Sequence, residues 1–113
     1  MKREVEKRRA YLKSRSRLIK DKIYKKNIEL LERLIINNEP IPDSFRSHLI
    51  KHPANPKGRA TTSSFGPNWR FYQCHVPSQS NGGKTQIILC YAINTKENMV
   101  CFVATGNHKE VSG

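Results

Sequence analysis

The chain has 113 residues, 36% of them hydrophobic, and its 21 lysines and arginines outweigh 9 acids to give a formal charge of +12. That length supports one domain, residues 1–113, around a single modest core. A charge so far from neutral implies an anionic partner, whether nucleic acid, acidic protein or membrane surface. No apolar run approaches the roughly 20 residues of a membrane span, and no signal-peptide pattern is present, which predicts a soluble, cytoplasmic protein.

Residues 1–28 hold twelve lysines and arginines against three acids, Glu4, Glu6 and Asp21. Tyr11, Leu12, Leu18, Ile19 and Ile23 recur at roughly helical spacing with no glycine or proline between them. This pattern predicts a basic helix with a thin apolar stripe. The first few residues are equally compatible with a short edge strand. Residues 27–37 predict a stronger helix. Ile28, Leu31, Leu34 and Ile35 form its stripe, and Glu29 and Arg33 are an i, i+4 pair in the favourable order. Asn37 and Asn38, followed by Pro40 and Pro42, stop it. The two helices, joined near residues 21–26, are expected to form an αα-hairpin lying on a sheet.

Residues 40–67 are the least regular stretch. They carry Arg46, His48, Lys51, His52, Lys57 and Arg59 with Asp43 as the only acid. A long basic loop of this kind suits contact with phosphates. Residues 69–76 alternate as a strand, with Trp69, Phe71, Gln73 and His75 against Arg70, Tyr72, Cys74 and Val76. The aromatics Trp69, Phe71 and Tyr72 have the option of stacking on bases, but at least two are expected in the core. A polar turn with Gly82 and Gly83 leads to residues 86–93, apolar on both faces and therefore a central strand. Residues 94–98 have hairpin-turn chemistry. Residues 99–104 form a second apolar strand, and Thr105-Gly106-Asn107-His108 bring an imidazole to the sheet's rim. Cys74, Cys90 and Cys101 are odd in number and sit in apolar runs, which predicts buried reduced thiols.

Four histidines, His48, His52, His75 and His108, carry the candidate chemistry. Imidazoles titrate near neutrality, so a pair can divide proton donor and acceptor roles. In an antiparallel meander, the ends of the strands that carry His75 and His108 meet at one edge, and the loop with His48 and His52 must cross it. No His/Cys ligand spacing argues for a metal, and no glycine-rich nucleotide motif or serine elbow is present, so no cofactor is expected. A basic groove with histidines suits RNA cleavage by transesterification. The 2′-OH is an internal nucleophile, one group removes its proton, another protonates the leaving 5′-oxygen, and a cation stabilises the charge at phosphorus.

The segments Leu34-Ile35-Ile36-Asn37-Asn38-Glu39-Pro40-Ile41-Pro42, Phe45-Arg46-Ser47-His48, Cys74-His75-Val76, Ile88-Leu89-Cys90-Tyr91 and Thr105-Gly106-Asn107-His108 occur in a recognisable order. In that order the chain resembles YafQ-type toxins of the RelE superfamily, over residues 31–113. The resemblance implies an α+β, RelE-like fold with two N-terminal helices on a small antiparallel sheet. It implies a ribosome-dependent messenger-RNA endonuclease (an mRNA interferase) that cuts codons in the 30S A site, against ribosomal RNA, and so inhibits translation. It also implies a DinJ-like acidic antitoxin as partner, and no metal. His48, His75 and His108 match the family's active-site histidines, with His75 or His48 as base and His108 as acid. His52, before Pro53, is an alternative match for the loop histidine. The chain departs from the family's pattern at Gln86, where an acid is usual, at Ala104, where an arginine is usual, and at Ser112, where an aromatic is usual. Arg46, Arg70, Lys84 and Lys109 are the expected RNA-binding cations, the last three as replacements for that arginine.

Overall fold

The computed structural model describes residues 2–50, 68–79, 86–107 and 111. Strand β1 (Glu4–Lys7) leads into helices α1 (Arg9–Leu18) and α2 (Lys22–Ile36). A 3-10 turn (Asp43–Phe45) and the short strand β2 (His48–Ile50) follow, then β3 (Trp69–Val76), β4 (Ile87–Asn94) and β5 (Met99–Asn107). The five strands form one sheet in the order β1-β5-β4-β3-β2. Three of its four pairings are antiparallel, and β1 runs parallel to β5. The expected α+β architecture of two helices on a sheet is therefore present. The sheet is larger than a three-strand meander and is mixed at one edge.

Each added strand has a local reason. In β1 the alternation reads Glu, Val, Glu, Lys and all four residues are exposed, so periodicity gives little sign of it. Charges on an exposed edge also discourage further pairing. Of the two options the opening residues left open, the strand is realised. β2 is three residues long and lies inside the stretch expected to be loop. β5 continues three residues past the expected Ala104, through Thr105 and Gly106 to Asn107.

The helix boundary also moves. α2 begins at Lys22 and not at the expected residue 27, because Asp21 caps it: Oδ1 accepts from the N–H groups of Ile23 (3.0 Å) and Tyr24 (3.1 Å). A carboxylate at that position satisfies helix donors that have no intrahelical partner. The stop falls where expected. Asn38 takes φ 56°, and the N–H groups of Asn38 and Glu39 bond back to Ile35 and Leu34. This 5→2 and 6→1 pair is a Schellman closure.

One face of the sheet is covered by the helices. Tyr11, Tyr24, Ile28, Leu31 and Ile35 pack there on Cys74, Leu89, Tyr91, Val100 and Phe102. α2 contributes a buried carboxylate, Glu32, that bonds to α1. Its Oε2 accepts from the Tyr11 hydroxyl (2.5 Å) and Arg15 Nε (2.9 Å), and its Oε1 accepts from Arg15 Nη2 (2.9 Å). The opposite face has a smaller cluster: Ile88, Cys90, Ala92, Cys101, Val103 and Val111, flanked by Ile50, Trp69 and Phe71. All eight residues of β4 are buried, as a central strand requires. The three cysteines are buried free thiols. Among the described residues no helix is long and apolar enough to cross a membrane.

Part of the basic front segment is structural. Arg15 belongs to Glu32, and Arg3 donates to the Ile35 carbonyl and to Asn38 Oδ1 at the end of α2. Arg8 pairs with Glu6. Arg15 and Arg8 hold carboxylates and Arg3 holds neutral acceptors, so these three guanidiniums serve the fold.

Candidate active site

Strand alternation decides which residues share the face opposite α1 and α2. On β3 these are Trp69, Phe71, Gln73 and His75, since Phe71 registers with Ala92, Gln73 with Cys90 and His75 with Ile88. On β2, His48 registers with Gln73 and Ile50 with Phe71. On β5, Ala104 registers with Cys90 and Gly106 with Ile88. Two cross-strand rows result. One runs His48, Gln73, Cys90, Ala104. The next runs His75, Ile88, Gly106.

His48 and His75 are thus diagonal neighbours on one face, with Cα atoms roughly 7–8 Å apart by sheet geometry. His48 is exposed, and His75 is half-buried. His48 Nδ1 lies 2.9 Å from the carbonyl oxygen of Arg46. A carbonyl only accepts, so Nδ1 carries the hydrogen and the neutral ring keeps its lone pair on Nε2. That is the tautomer of a proton acceptor facing outward. Arg46 presents its carbonyl this way by adopting φ 52°, left-handed, at the end of the 3-10 turn. Its own side chain is exposed beside His48.

Row two ends at Gly106, with φ 151°. That region is nearly closed to residues with a Cβ. Gly106 and its register partner Ile88 are both buried, and Val111 packs in the same cluster as Ile88. Row one ends at Ala104, half-buried against the apolar cluster. A methyl group stands there, so no cation comes from that position.

The remaining candidates divide. Arg70 registers with Ile93, which belongs to the helix-side core, so alternation turns it to the opposite face from His75. It also lies five residues back, roughly 17 Å along the strand. The expectation that Arg70 serves the histidine rim does not fit this geometry. His52, Lys84, His108 and Lys109 lie outside the described residues, as does Ser112. The aromatics are half-buried at the margins of the core: Trp69 and Phe71 pack on the cluster opposite α1 and α2, and Tyr72 stacks on Tyr91 on the other side with centroids 5.4 Å apart.

Sequence reasoning passed over Gln73 and Tyr24. Gln73 is buried, 8% exposed, between His48 and Cys90 in row one. The signal was present, as an amide in an inward position of an otherwise aromatic strand face. Tyr24 is fully buried, its hydroxyl 3.0 Å from Thr105 Oγ1, which in turn donates to the Ile88 carbonyl at 3.0 Å. Burial pushes the Tyr24 phenol up to about 12, against the lowering effect of the Thr105 bond. Burial also raises Cys90 to about 12, with Cys101 adding to the effect, so this thiol is no nucleophile near neutrality. Among the described residues no group of histidine, cysteine and acidic side chains is arranged to hold a metal ion.

No protein-family model matches the chain, and no curated protein matches it in sequence. Two solved structures do match in fold. A crystal structure of the E. coli DinJ-YafQ toxin-antitoxin complex contains a chain that superposes with a TM-score of 0.67 at 21% identity, covering 100% of both chains. A second crystal structure of the E. coli DinJ-YafQ complex gives a TM-score of 0.66 at 21% identity, covering 98% of this chain and 99% of that one. At this level of identity the likeness speaks to architecture, and the chain has the α+β fold of YafQ, with two helices on one face of a mostly antiparallel five-stranded sheet.

Proposed function

We propose that the protein is a toxin of a toxin–antitoxin pair, a cytoplasmic endoribonuclease that cuts messenger RNA in the ribosomal A site. The observation that carries this reading is that His48 and His75 are diagonal neighbours on the face opposite α1 and α2, in a chain with the YafQ fold and a +12 charge. Cleavage runs through the substrate's own 2′-OH and requires no metal. His48 Nε2 removes the 2′ proton, its ring held by the Nδ1–H bond to Arg46. The oxygen attacks the adjacent phosphorus, the bond to the 5′-oxygen breaks, and a second imidazole, His108, protonates the leaving oxygen. His75 lies beside His48 to orient the phosphate or to exchange roles with it. Arg46 at the mouth, with Lys84 and Lys109, supplies charge to the phosphates in place of an arginine at position 104. The protein-side partner is a small, acidic, DinJ-like antitoxin, whose charge complements the basic surface.

The test is cleavage of ribosome-programmed message by wild type and by the His48→Ala, His75→Ala and His108→Ala variants. Each variant is expected to lose at least 100-fold in rate, the usual worth of a general acid or base. Full cleavage by His48→Ala together with His75→Ala would remove the mechanism. A second reading is favoured by Ala104, where the cation of the resembled family is replaced by a methyl group packed on the sheet. In that reading the protein binds RNA, ribosome or antitoxin with attenuated catalysis. Tight binding of the programmed ribosome without scission would select it.

A further inference from the structure

The first two turns of α2 reach the segment just past β3, the strand of His75, and also β5. Asp21 does more than cap its helix: its Oδ2 and Oδ1 accept from the N–H of Gln79 at 2.9 and 3.1 Å. Gln79 lies four residues past His75, just beyond the end of β3. Asn27 Nδ2 donates to the Pro77 carbonyl at 3.3 Å and to Ile23 O at 2.9 Å. Tyr24, between them on the same helical face, reaches through its hydroxyl to Thr105 and so to the Ile88 carbonyl. Ile88 stands between His75 and Gly106 in row two.

We infer that Asp21, Tyr24 and Asn27 are positioning residues, a clamp at the start of α2 that sets where His75 and the Gly106 end of β5 stand relative to one another. This rests on the reading of the rim as an RNA-cleaving site, and it extends that reading to residues that touch no substrate. The chemistry of each arm matches a positioning task. Residues 77–79 leave the sheet, so the ladder no longer fixes them, and a carboxylate taking two bonds from one N–H replaces it. A Tyr hydroxyl buried at 0% exposure has no water to turn to, so its bond to Thr105 is held. Reacting groups displaced by about 1 Å can lose on the order of 100-fold in rate. A support that fixes both sides of row two therefore bears directly on turnover.

Asp21→Ser separates capping from clamping. Serine caps a helix about as well as aspartate. Its single short hydroxyl cannot hold the Tyr24 and Gln79 N–H groups together. The variant is expected to keep its far-UV spectrum and a thermal midpoint close to wild type. The His75 ring resonances shift while those of His48, on β2, stay in place. On programmed ribosomes kcat falls roughly 10- to 100-fold with KM unchanged. Tyr24→Phe, which cuts the other arm, is expected to move the Gly106 amide resonance and leave that of Gln79. His75 resonances unmoved in Asp21→Ser, or His48 moving as far as His75, overturn the clamp. Should the wild-type protein not cut RNA, the proposed function falls and the ring resonances alone decide the clamp.

Discussion

Glu32→Gln tests how this chain keeps a highly basic first helix on its sheet. α1 has ten residues, mean hydropathy well on the polar side, and one buried residue, Tyr11. A helix that short does not hold itself in water. Its attachment is the Tyr11 ring stacked on Phe102 at 5.4 Å and the three hydrogen bonds that Tyr11 and Arg15 give to Glu32. Removing one partner of a fully buried ion pair costs about 3–5 kcal/mol. Here the Arg15 side chain is 20% exposed, so water recovers part of the loss. The expected cost of Glu32→Gln is about 2–3 kcal/mol, a fall in Tm of roughly 10 °C or more for a domain of this size. Tyr11→Phe removes one hydrogen bond to a charged acceptor and costs about 1–2 kcal/mol. The double variant loses less than the sum by about 1 kcal/mol, because both act on one carboxylate. Urea denaturation followed by circular dichroism measures all three. A loss under about 0.5 kcal/mol for Glu32→Gln, or strict additivity, would refute the claim that this carboxylate fastens the helix.

Two further outcomes follow from backbone and titration. Gly106→Ala forces a Cβ into φ 151° and costs about 1–3 kcal/mol, read as a lowered urea midpoint; an unchanged midpoint would show that the strand end relaxes freely. Burial raises the folded-state values of Cys74 and Cys90 from 9.0 to about 12, of Cys101 from 9.0 to about 11 and of Tyr24 from 10.0 to about 12. The unfolded chain therefore releases these protons first, and stability falls as pH rises above about 9, by up to about 1.4 kcal/mol per pH unit for each group titrating. Urea midpoints that stay level from pH 8 to 10.5 would contradict this.

The central sheet was legible because its signals are strong. Residues 69–76 and the hairpin around 94–98 emerge where alternation and turn chemistry place them, and Asn98 takes φ 54° in that turn. The α2 stop at Asn37 and Asn38 was legible for the same reason. The two edge strands were less so. Glu4–Lys7 is exposed on every residue, and His48–Ile50 is too short to show a period. What fixes them is pairing with β5 and β3, which no local pattern encodes. The joint between the helices, expected near residues 21–26, falls at residues 19–21, because the Asp21 carboxylate starts α2 inside a continuous run of helix-forming residues. At the site, the residue types were readable but the faces were not. His48 and His75 meet because a three-residue strand sets His48 opposite Gln73. Arg70 fails because one step of alternation turns it away. Arg15 and Arg3 read as surface charge, although they serve Glu32 and the end of α2.

The claim that this face cuts RNA through the substrate's own hydroxyl is tested most directly with a programmed message carrying a single 2′-deoxynucleotide at the scissile position. The account predicts that the all-ribose message yields a 2′,3′-cyclic phosphate end and that the deoxy substitution abolishes the cut. Scission of the deoxy message at the same linkage would contradict it.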